Sequence, residues 1–337
     1  MKILITGGAG YIGSHLVKQL LQTTNEKIVV LDNLVTGFED TIQTLQKIRE
    51  FKFIKEDLSN WNKIKEILES EKFDVIIHFA ASLIVPESVK NPAKYYLNNT
   101  ANTTNLVDCA SKSGVEKFIF SSTAAVYGEP NLNDALKGIS EEFDTNPINP
   151  YGQSKLFSEK IIKDISKISD MKYVVFRYFN VAGADKEGLI GQSTLNATHL
   201  IKVAAETALG KREKIYIFGD DYDTNDGTCV RDYIDVDDLA KAHIDAIDYL
   251  DENESDIFNV GYSKGYSVKE VIETMKKVSG VDFKVEIASR RAGDPTLLIS
   301  NNSKIINKMN WTPKYNDLEL ICKKALEWER KNSKLSK

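Results

Sequence analysis

The chain has 337 residues, with 44 Lys and Arg against 49 Asp and Glu, for a formal net charge of −5. Hydrophobic residues at 42% and charged residues at 28% describe an ordinary globular protein, long enough for one large domain or two. The mild acidity argues against a nucleic-acid binder, and three scattered cysteines (Cys109, Cys229, Cys322) with four scattered histidines argue against a disulfide scaffold or a metal site.

The opening run MKILITGG is too short for a signal peptide. The longest apolar stretch, residues 75–86, is interrupted by His78 and Ser82 and falls short of the roughly 20 residues a membrane span needs. A cytoplasmic enzyme without a membrane partner is the expectation. From there two periods alternate. Residues 2–6, 27–32, 51–57, 74–79, 117–122 and 173–177 read as buried parallel strands. Residues 13–22, 61–69, 92–113 and 151–168 carry helical spacing between them. This repetition predicts an α/β fold: a Rossmann-type doubly wound parallel sheet with helices on both faces. Beyond residue 180, Gly, Asp and Asn become frequent, with strands at 214–218, 256–260 and 283–287 and helices at 236–249, 267–277 and 318–331. The expected division is therefore 1–180 for the sheet and 181–337 for a smaller α/β substrate-binding portion, with some chain crossing between them. Residues 329–337 read as a solvated, frayed tail.

The first strand runs into Thr6-Gly7-Gly8-Ala9-Gly10-Tyr11-Ile12-Gly13. Gly7 permits the sharp turn, Gly10 lets a pyrophosphate approach the backbone, and Gly13 allows the helix to pack close to the sheet. The helix N-terminus then offers unpaired N–H groups to phosphate. The second strand ends at Asp32, whose carboxylate suits two ribose hydroxyls and repels a 2′-phosphate, so NAD is favoured over NADP. Asp57 and Leu58 either flank the adenine or simply cap the third strand.

The fifth strand leads to Thr123, a hydroxyl at the carboxyl end of the sheet, where this architecture places its chemistry. Downstream, Pro150 suits a helix start, and Tyr151 and Lys155 are four apart on one helical face. A nearby ammonium and a cationic nicotinamide ring would both stabilise the phenolate; a shift of ~3 units is worth ~4 kcal/mol and makes Tyr151 a usable base. Read alone, YxxxK is an amphipathic helix with two exposed polar residues; the preceding dinucleotide turn and strand-end hydroxyl change that reading.

The segments TGGAGYIG, LDN, SSTAAVYG, NPYGQSK and RYFNVAGA resemble the extended short-chain dehydrogenase/reductase family. HFAA, PESV, YYLNNT, IFGDDYDTNDGTCVRDYIDVDDLA and RRAGDP are similar to the UDP-hexose 4-epimerases within it, and the resemblance covers nearly the whole chain. It implies a proton taken from the sugar 4-hydroxyl by Tyr151, bridged by Thr123, while the C4 hydride passes to a retained NAD. A 4-keto sugar then turns over and recovers the hydride on its other face. Lys155 is implied to hold the nicotinamide ribose and lower the Tyr151 pKa. The implied cofactor residues are Gly7, Gly10, Tyr11, Ile12, Gly13, Asp32, Asn33, Asp57, Leu58, Phe79, Ala80, Ala81, Asn98, Ser121, Tyr151, Lys155 and Tyr178. For a UDP-sugar they are Thr123, Asn180, His199, Leu200, Tyr216, Phe218, Arg231, Tyr233, Arg291, Asp294 and Leu298. Arg231 and Arg291 suit a diphosphate, since guanidinium forks fit its oxygens; surface ion pairing is their plain alternative.

Three departures from the family pattern matter. Leu83 replaces a common lysine near the cofactor, and Thr123 replaces serine while keeping the hydroxyl. Leu298 stands where glucose-only relatives carry a tyrosine against the sugar, so an N-acetyl group at C2 should fit, unless that region has shifted. A nucleotide-sugar 4,6-dehydratase would need an Asp-Glu pair after Thr123, where this chain has Ala124-Ala125. A non-catalytic NAD sensor tends to lose the Tyr/Lys pair, which is kept here. The resemblance also implies a homodimer through residues 92–113 and 151–168.

Overall fold

The computed structural model describes residues 1–194, 197–291 and 293–335, with side chains as far as 332. Five apolar runs and one mixed run become the strands β1 (Lys2–Thr6), β2 (Lys27–Asp32), β3 (Lys52–Lys55), β4 (Val75–His78), β5 (Lys117–Ser121) and β6 (Lys172–Tyr178). Between them lie α1 (Tyr11–Thr23), α2 (Glu39–Gln46), α3 (Trp61–Glu71), α4 (Val85–Lys90), α5 (Pro92–Tyr95), α6 (Asn102–Lys112), α7 (Leu132–Ala135) and α8 (Pro150–Ser166). Then follow β7 (Asn180–Ala182), α9 (Leu200–Ala208), β8 (Ile215–Phe218), β9 (Val230–Asp235), α10 (Val236–Glu252) and β10 (Asp256–Val260). The chain continues through β11 (Gly265–Ser267), α11 (Val268–Ser279), β12 (Val285–Ala288), β13 (Leu297–Leu298), α12 (Ser303–Met309) and α13 (Leu318–Leu335).

The large sheet has the order β10-β6-β5-β4-β1-β2-β3, every pair parallel. Both faces are apolar because both are covered. Ile3, Ile5, Ile77, Ile119 and Phe176 pack with Leu16 and Leu20 of α1 and Leu239 and Ala246 of α10. Leu4, Ile76, Phe118 and Val175 point the other way, onto Ile64 and Leu68 of α3, Leu106 of α6 and Ile162 of α8. Near-continuous apolar strands are what two covered faces require, and each such side chain contributes about 1.5–3 kcal/mol on full burial. The strand order reverses between β1 and β4, which opens a crevice at their carboxyl ends.

The chain crosses the expected division at residue 180. β10 closes the edge of the large sheet on β6, and α10 packs on α1, β5 and β6. The remaining strands form two small sheets: β11-β9-β13 with β7 also on β9, and β12-β8. Helices α9, α11 and α13 pack on one another beside them. Among the described residues no helix is long and apolar enough to cross a membrane.

Two sequence expectations need correction. The predicted helix over 92–113 is interrupted: a π-helical turn, Tyr96–Ala101, separates α5 from α6. The buried Asn99 explains the irregularity, since its amide accepts from the Ser82 N–H at 2.8 Å and donates to the Ser82 carbonyl at 2.9 Å and the Ser154 hydroxyl at 3.1 Å. The expected frayed tail is instead helical through Leu335, and Glu329 is buried, paired with Lys202 and with Lys211 at 2.6 Å. Its last two residues, 336 and 337, lie outside the described residues.

Candidate active site

The glycine turn does what the spacing predicts. Gly7 has φ +73°, and a Cβ there would lie 2.7 Å from the Ala80 nitrogen. A Cβ at Gly13 would lie 2.3 Å from the Gly7 carbonyl oxygen. The first turn of α1 is capped by no side chain, because Gly10 is its N-cap. These close approaches set the uncapped α1 N-terminus against the ends of β1 and β4, where its free N–H groups fit the pyrophosphate of a dinucleotide. At the end of β2 the Asp32 carboxylate is held by the Ala9 N–H at 3.0 Å and the Leu34 N–H at 2.8 Å, while burial raises its pKa. Asp57 accepts from the Ser59 N–H at 2.8 Å and the Asn33 amide at 2.6 Å, so it caps the chain after β3 and faces the same end of the sheet. Burial opposes its ionisation, but those hydrogen bonds hold its pKa below the ordinary value. Ala80 borders Gly7, and Phe79 packs on His243 at 4.7 Å between ring centres. Asn98 donates to the Ser82 hydroxyl at 3.1 Å from the π-helical turn, and Leu83 nearby is half-exposed. Tyr11 leaves the turn altogether: its hydroxyl donates to the Gly183 carbonyl at 2.7 Å, just beyond β7.

At the end of β5, Thr123 caps a short 3-10 turn, Ala124–Tyr127, its hydroxyl accepting from the Ala125 N–H at 3.2 Å. α8 starts opposite, with Asn149 accepting from the Gly152 N–H at 2.9 Å and Pro150 in the first turn. Gly152 allows the approach, since a Cβ there would lie 2.6 Å from the Ala125 carbonyl oxygen. The result sets Tyr151 beside Thr123, whose hydroxyl favours the phenolate. Lys155, one turn on, donates to the Ser121 carbonyl at 2.8 Å and lies 4.7 Å from the Phe120 ring centre. Tyr178, at the end of β6, is raised in pKa by burial, with Tyr151 adding to it and Ser121 opposing.

Burial raises the Tyr151 pKa, and the Thr123 hydroxyl opposes that rise. Lys155 is itself pushed down to about 7 by burial, with Glu159 working against that. A buried ammonium is costly in a low dielectric, and here its charge is spent first on the Ser121 carbonyl.

Several groups at this site were missed from sequence. The Ser121 hydroxyl bonds His243 Nε2 at 2.8 Å. Because His243 Nδ1 must donate to the Leu239 carbonyl at 2.9 Å, Nε2 is the acceptor and Ser121 the donor. Glu159 of α8 is bound by Arg177 of β6 at 2.7 Å, with the Ser122 hydroxyl also on it. Glu159 lies four residues beyond Lys155, a spacing that could have marked it.

The expected substrate residues gather on the second half. Asn180 pairs with Tyr233 across β7 and β9, and Arg231 pairs with Leu298 across β9 and β13. Asn180, His199, Leu200 and Tyr233 line one small cavity of about 20 Å³, room for one water. His199 is held by Gln192 at 2.8 Å and pushed down to about 4 by burial. The Arg291 guanidinium lies 3.6 Å from the Phe218 ring centre, and burial lowers its pKa against the pull of Asp294. Its neighbour Arg290 pairs with Asp221 at 2.7 Å. Tyr216 is exposed beside Phe218. Arg231 is nearly buried and donates to the Val230 carbonyl at 2.8 Å. Leu298 is buried with Ala124, Val126, Tyr127 and Phe179, which ties it to the turn after Thr123.

Comparison with known proteins places these features in context. A family described as GDP-mannose 4,6 dehydratase matches residues 4–324. A UDP-glucose 4-epimerase from Azospirillum brasilense is 43% identical over 330 residues, covering 98% of this chain and 92% of its own length. The solved UDP-Glc/GlcNAc 4-epimerase from Campylobacter jejuni is 59% identical with a TM-score of 0.86, covering 98% of this chain and 99% of that one. The solved UDP-glucose 4-epimerase from Bifidobacterium longum, in complex with NAD+ and UDP, is 35% identical with a TM-score of 0.93, covering 99% of each chain.

Proposed function

The chain belongs to the UDP-glucose 4-epimerase family, within the wider GDP-mannose 4,6 dehydratase family, and from that premise we propose that it inverts C4 of UDP-hexoses with bound NAD. The observation that carries this reading is the meeting of Thr123 and Tyr151 at the end of β5, one turn from Lys155, with alanines directly after Thr123. Elimination of water, the dehydratase reaction, needs a proton shuttle where Ala124 and Ala125 stand; alanine has none to offer. C4 inversion needs one acid/base and one hydroxyl bridge, which are present.

NAD, when bound, supplies the reversible acceptor for the C4 hydrogen. The protein supplies the rest. Gly7, Gly10 and Gly13 admit the pyrophosphate to the α1 N-terminus, and Asp32 takes the adenosine ribose. Tyr151 rests as the neutral phenol under burial and takes up its basic role when positive charge arrives beside it. Thr123 relays the proton between the sugar 4-hydroxyl and Tyr151. Arg231 and Arg291 bind the diphosphate, and Phe218 and Tyr216 offer aromatic faces to the nucleotide. Leu298 leaves room at C2, so both plain and N-acetylated hexoses are substrates.

Incubation of the purified protein with UDP-galactose, and separately with UDP-N-acetylgalactosamine, tests this without added NAD. The 4-epimer is expected from both; its absence from both overturns the reading. We also propose a homodimer through α8 and the π-helical turn, where Leu97 and Phe157 are exposed and Tyr96 lies 6.0 Å from Phe157. Sedimentation velocity of a Leu97→Glu variant would then give a monomer.

A further inference from the structure

Beneath the reacting groups lies a buried polar cluster that neither phosphate recognition nor proton transfer uses. Glu159, on α8, is 4% exposed, and so is almost wholly removed from water. Arg177 of β6 approaches it through Nη2 at 2.7 Å and through Nε at 3.2 Å to each carboxylate oxygen. Arg177 also donates to the Tyr127 hydroxyl at 3.1 Å, and Tyr127 donates to the Asn259 amide oxygen of β10 at 2.7 Å. The second partner of Glu159 is the Ser122 hydroxyl.

The position of Ser122 gives this cluster its interest. It stands between Ser121, whose carbonyl accepts from Lys155, and Thr123, whose hydroxyl meets Tyr151. Glu159 also sits one helical turn beyond Lys155, on the same face of α8. One carboxylate thus touches the strand end and faces the lysine. A solely structural ion pair would be satisfied by Arg177 alone, and replacing such pairs by apolar residues is often harmless.

We propose that Glu159 is a positioning residue for the reaction: through Ser122 it fixes the 121–123 strand end, and with it the Ser121 carbonyl that receives Lys155 and the Thr123 hydroxyl beside Tyr151. The charged and titratable groups around Lys155 are Glu159 on its own helix, His78 on β4, Tyr151 on α8 and Tyr178 on β6. Glu159 is the acidic one among them, and it favours the protonated lysine. Arg177 offsets part of that charge, since its Nε and Nη2 bond Glu159 and only Nη1 reaches Tyr127; the lysine still feels the remainder. As an ammonium, Lys155 offers three N–H donors, which serve the Ser121 carbonyl and leave others for a ribose hydroxyl, and it brings a positive charge to the site.

The proposal rests on the epimerase reading, so wild-type turnover of UDP-galactose is the reference; no wild-type turnover would sink that reading instead. Removing the charge with Glu159→Gln lowers the lysine's affinity for its proton, so activity is lost earlier as pH rises. The alkaline limb of kcat/KM should move down by about one pH unit, with NAD retained. Glu159→Asp keeps the charge but withdraws the reach to Ser122; it should leave the limb in place and lower kcat. Ser122→Ala should do the same, about 10-fold in kcat with KM little changed. A wild-type alkaline limb in Glu159→Gln overturns the proposal. If that variant is recovered unfolded, wild-type kcat in both Glu159→Asp and Ser122→Ala overturns it.

Discussion

Tyr151 and Leu298 are single side chains with separable consequences. Tyr151→Phe removes the hydroxyl and little else, since the ring stays packed edge-on against Tyr95 at 6.4 Å. Turnover of UDP-galactose should fall ~10³-fold or more while bound NAD, read by absorbance after denaturation, stays stoichiometric. Near-normal turnover would remove Tyr151 as the acid/base. Leu298→Tyr puts a larger ring into a cluster already closed by Val126, Tyr127 and Phe179. Overpacking of this kind costs ~1–3 kcal/mol, so the ring is driven toward the sugar. Turnover of UDP-N-acetylgalactosamine should drop at least ~10-fold relative to UDP-galactose, a loss of the size one misfitted group produces. An equal loss on both substrates would mean that Leu298 is no selectivity gate.

Among the elements, the strands and the glycine turn were legible because their signal is local: consecutive apolar residues, then glycines at fixed offsets. The π-helical turn was not, because what demands it is tertiary. Asn99 reaches Ser82 on one side and Ser154 of α8 on the other, and Ser158 returns a hydrogen bond to the Asn99 carbonyl at 3.1 Å. Asn99→Ala should therefore lower the unfolding free energy by about 2 kcal/mol, the cost of leaving buried partners unsatisfied, measured by urea titration. A change below ~0.5 kcal/mol would show the turn to be held by packing alone. The short strands β7, β9 and β13 escaped for the same reason: their partners are far away in sequence. The candidate site was legible down to Tyr151, Lys155 and Thr123, where spacing carries the chemistry. The order of influence among them was not. Lys155 spends its proton on the Ser121 carbonyl, a contact that no spacing rule exposes.

At the scale of the whole molecule, His78 on β4 and His243 on α10, which packs against the sheet, are buried in neutral form. His78 bonds the Thr6 hydroxyl at 2.6 Å and the Thr103 hydroxyl at 2.8 Å, while His243 bonds Ser121 and Leu239. Burial pushes His78 down to about 3 and His243 down to about 4, from an ordinary 6.5. Values depressed by folding mean that the unfolded chain binds the proton first. The stability these residues confer is fully present above pH 6.5 and is lost as pH falls toward their folded values. Each accounts for about 2 kcal/mol between pH 6.5 and 5. The urea midpoint should thus fall clearly between pH 7.5 and pH 5, and a constant midpoint would contradict the burial of both rings. The return of β10 to the edge of β6 has a different kind of consequence, one of timing. During synthesis the outer edge of β6 stays unpaired until α10 and β10 have left the ribosome. The early chain therefore carries an open row of peptide groups, a template for mispairing with other nascent chains. A fragment ending near residue 180 would keep that edge open for good.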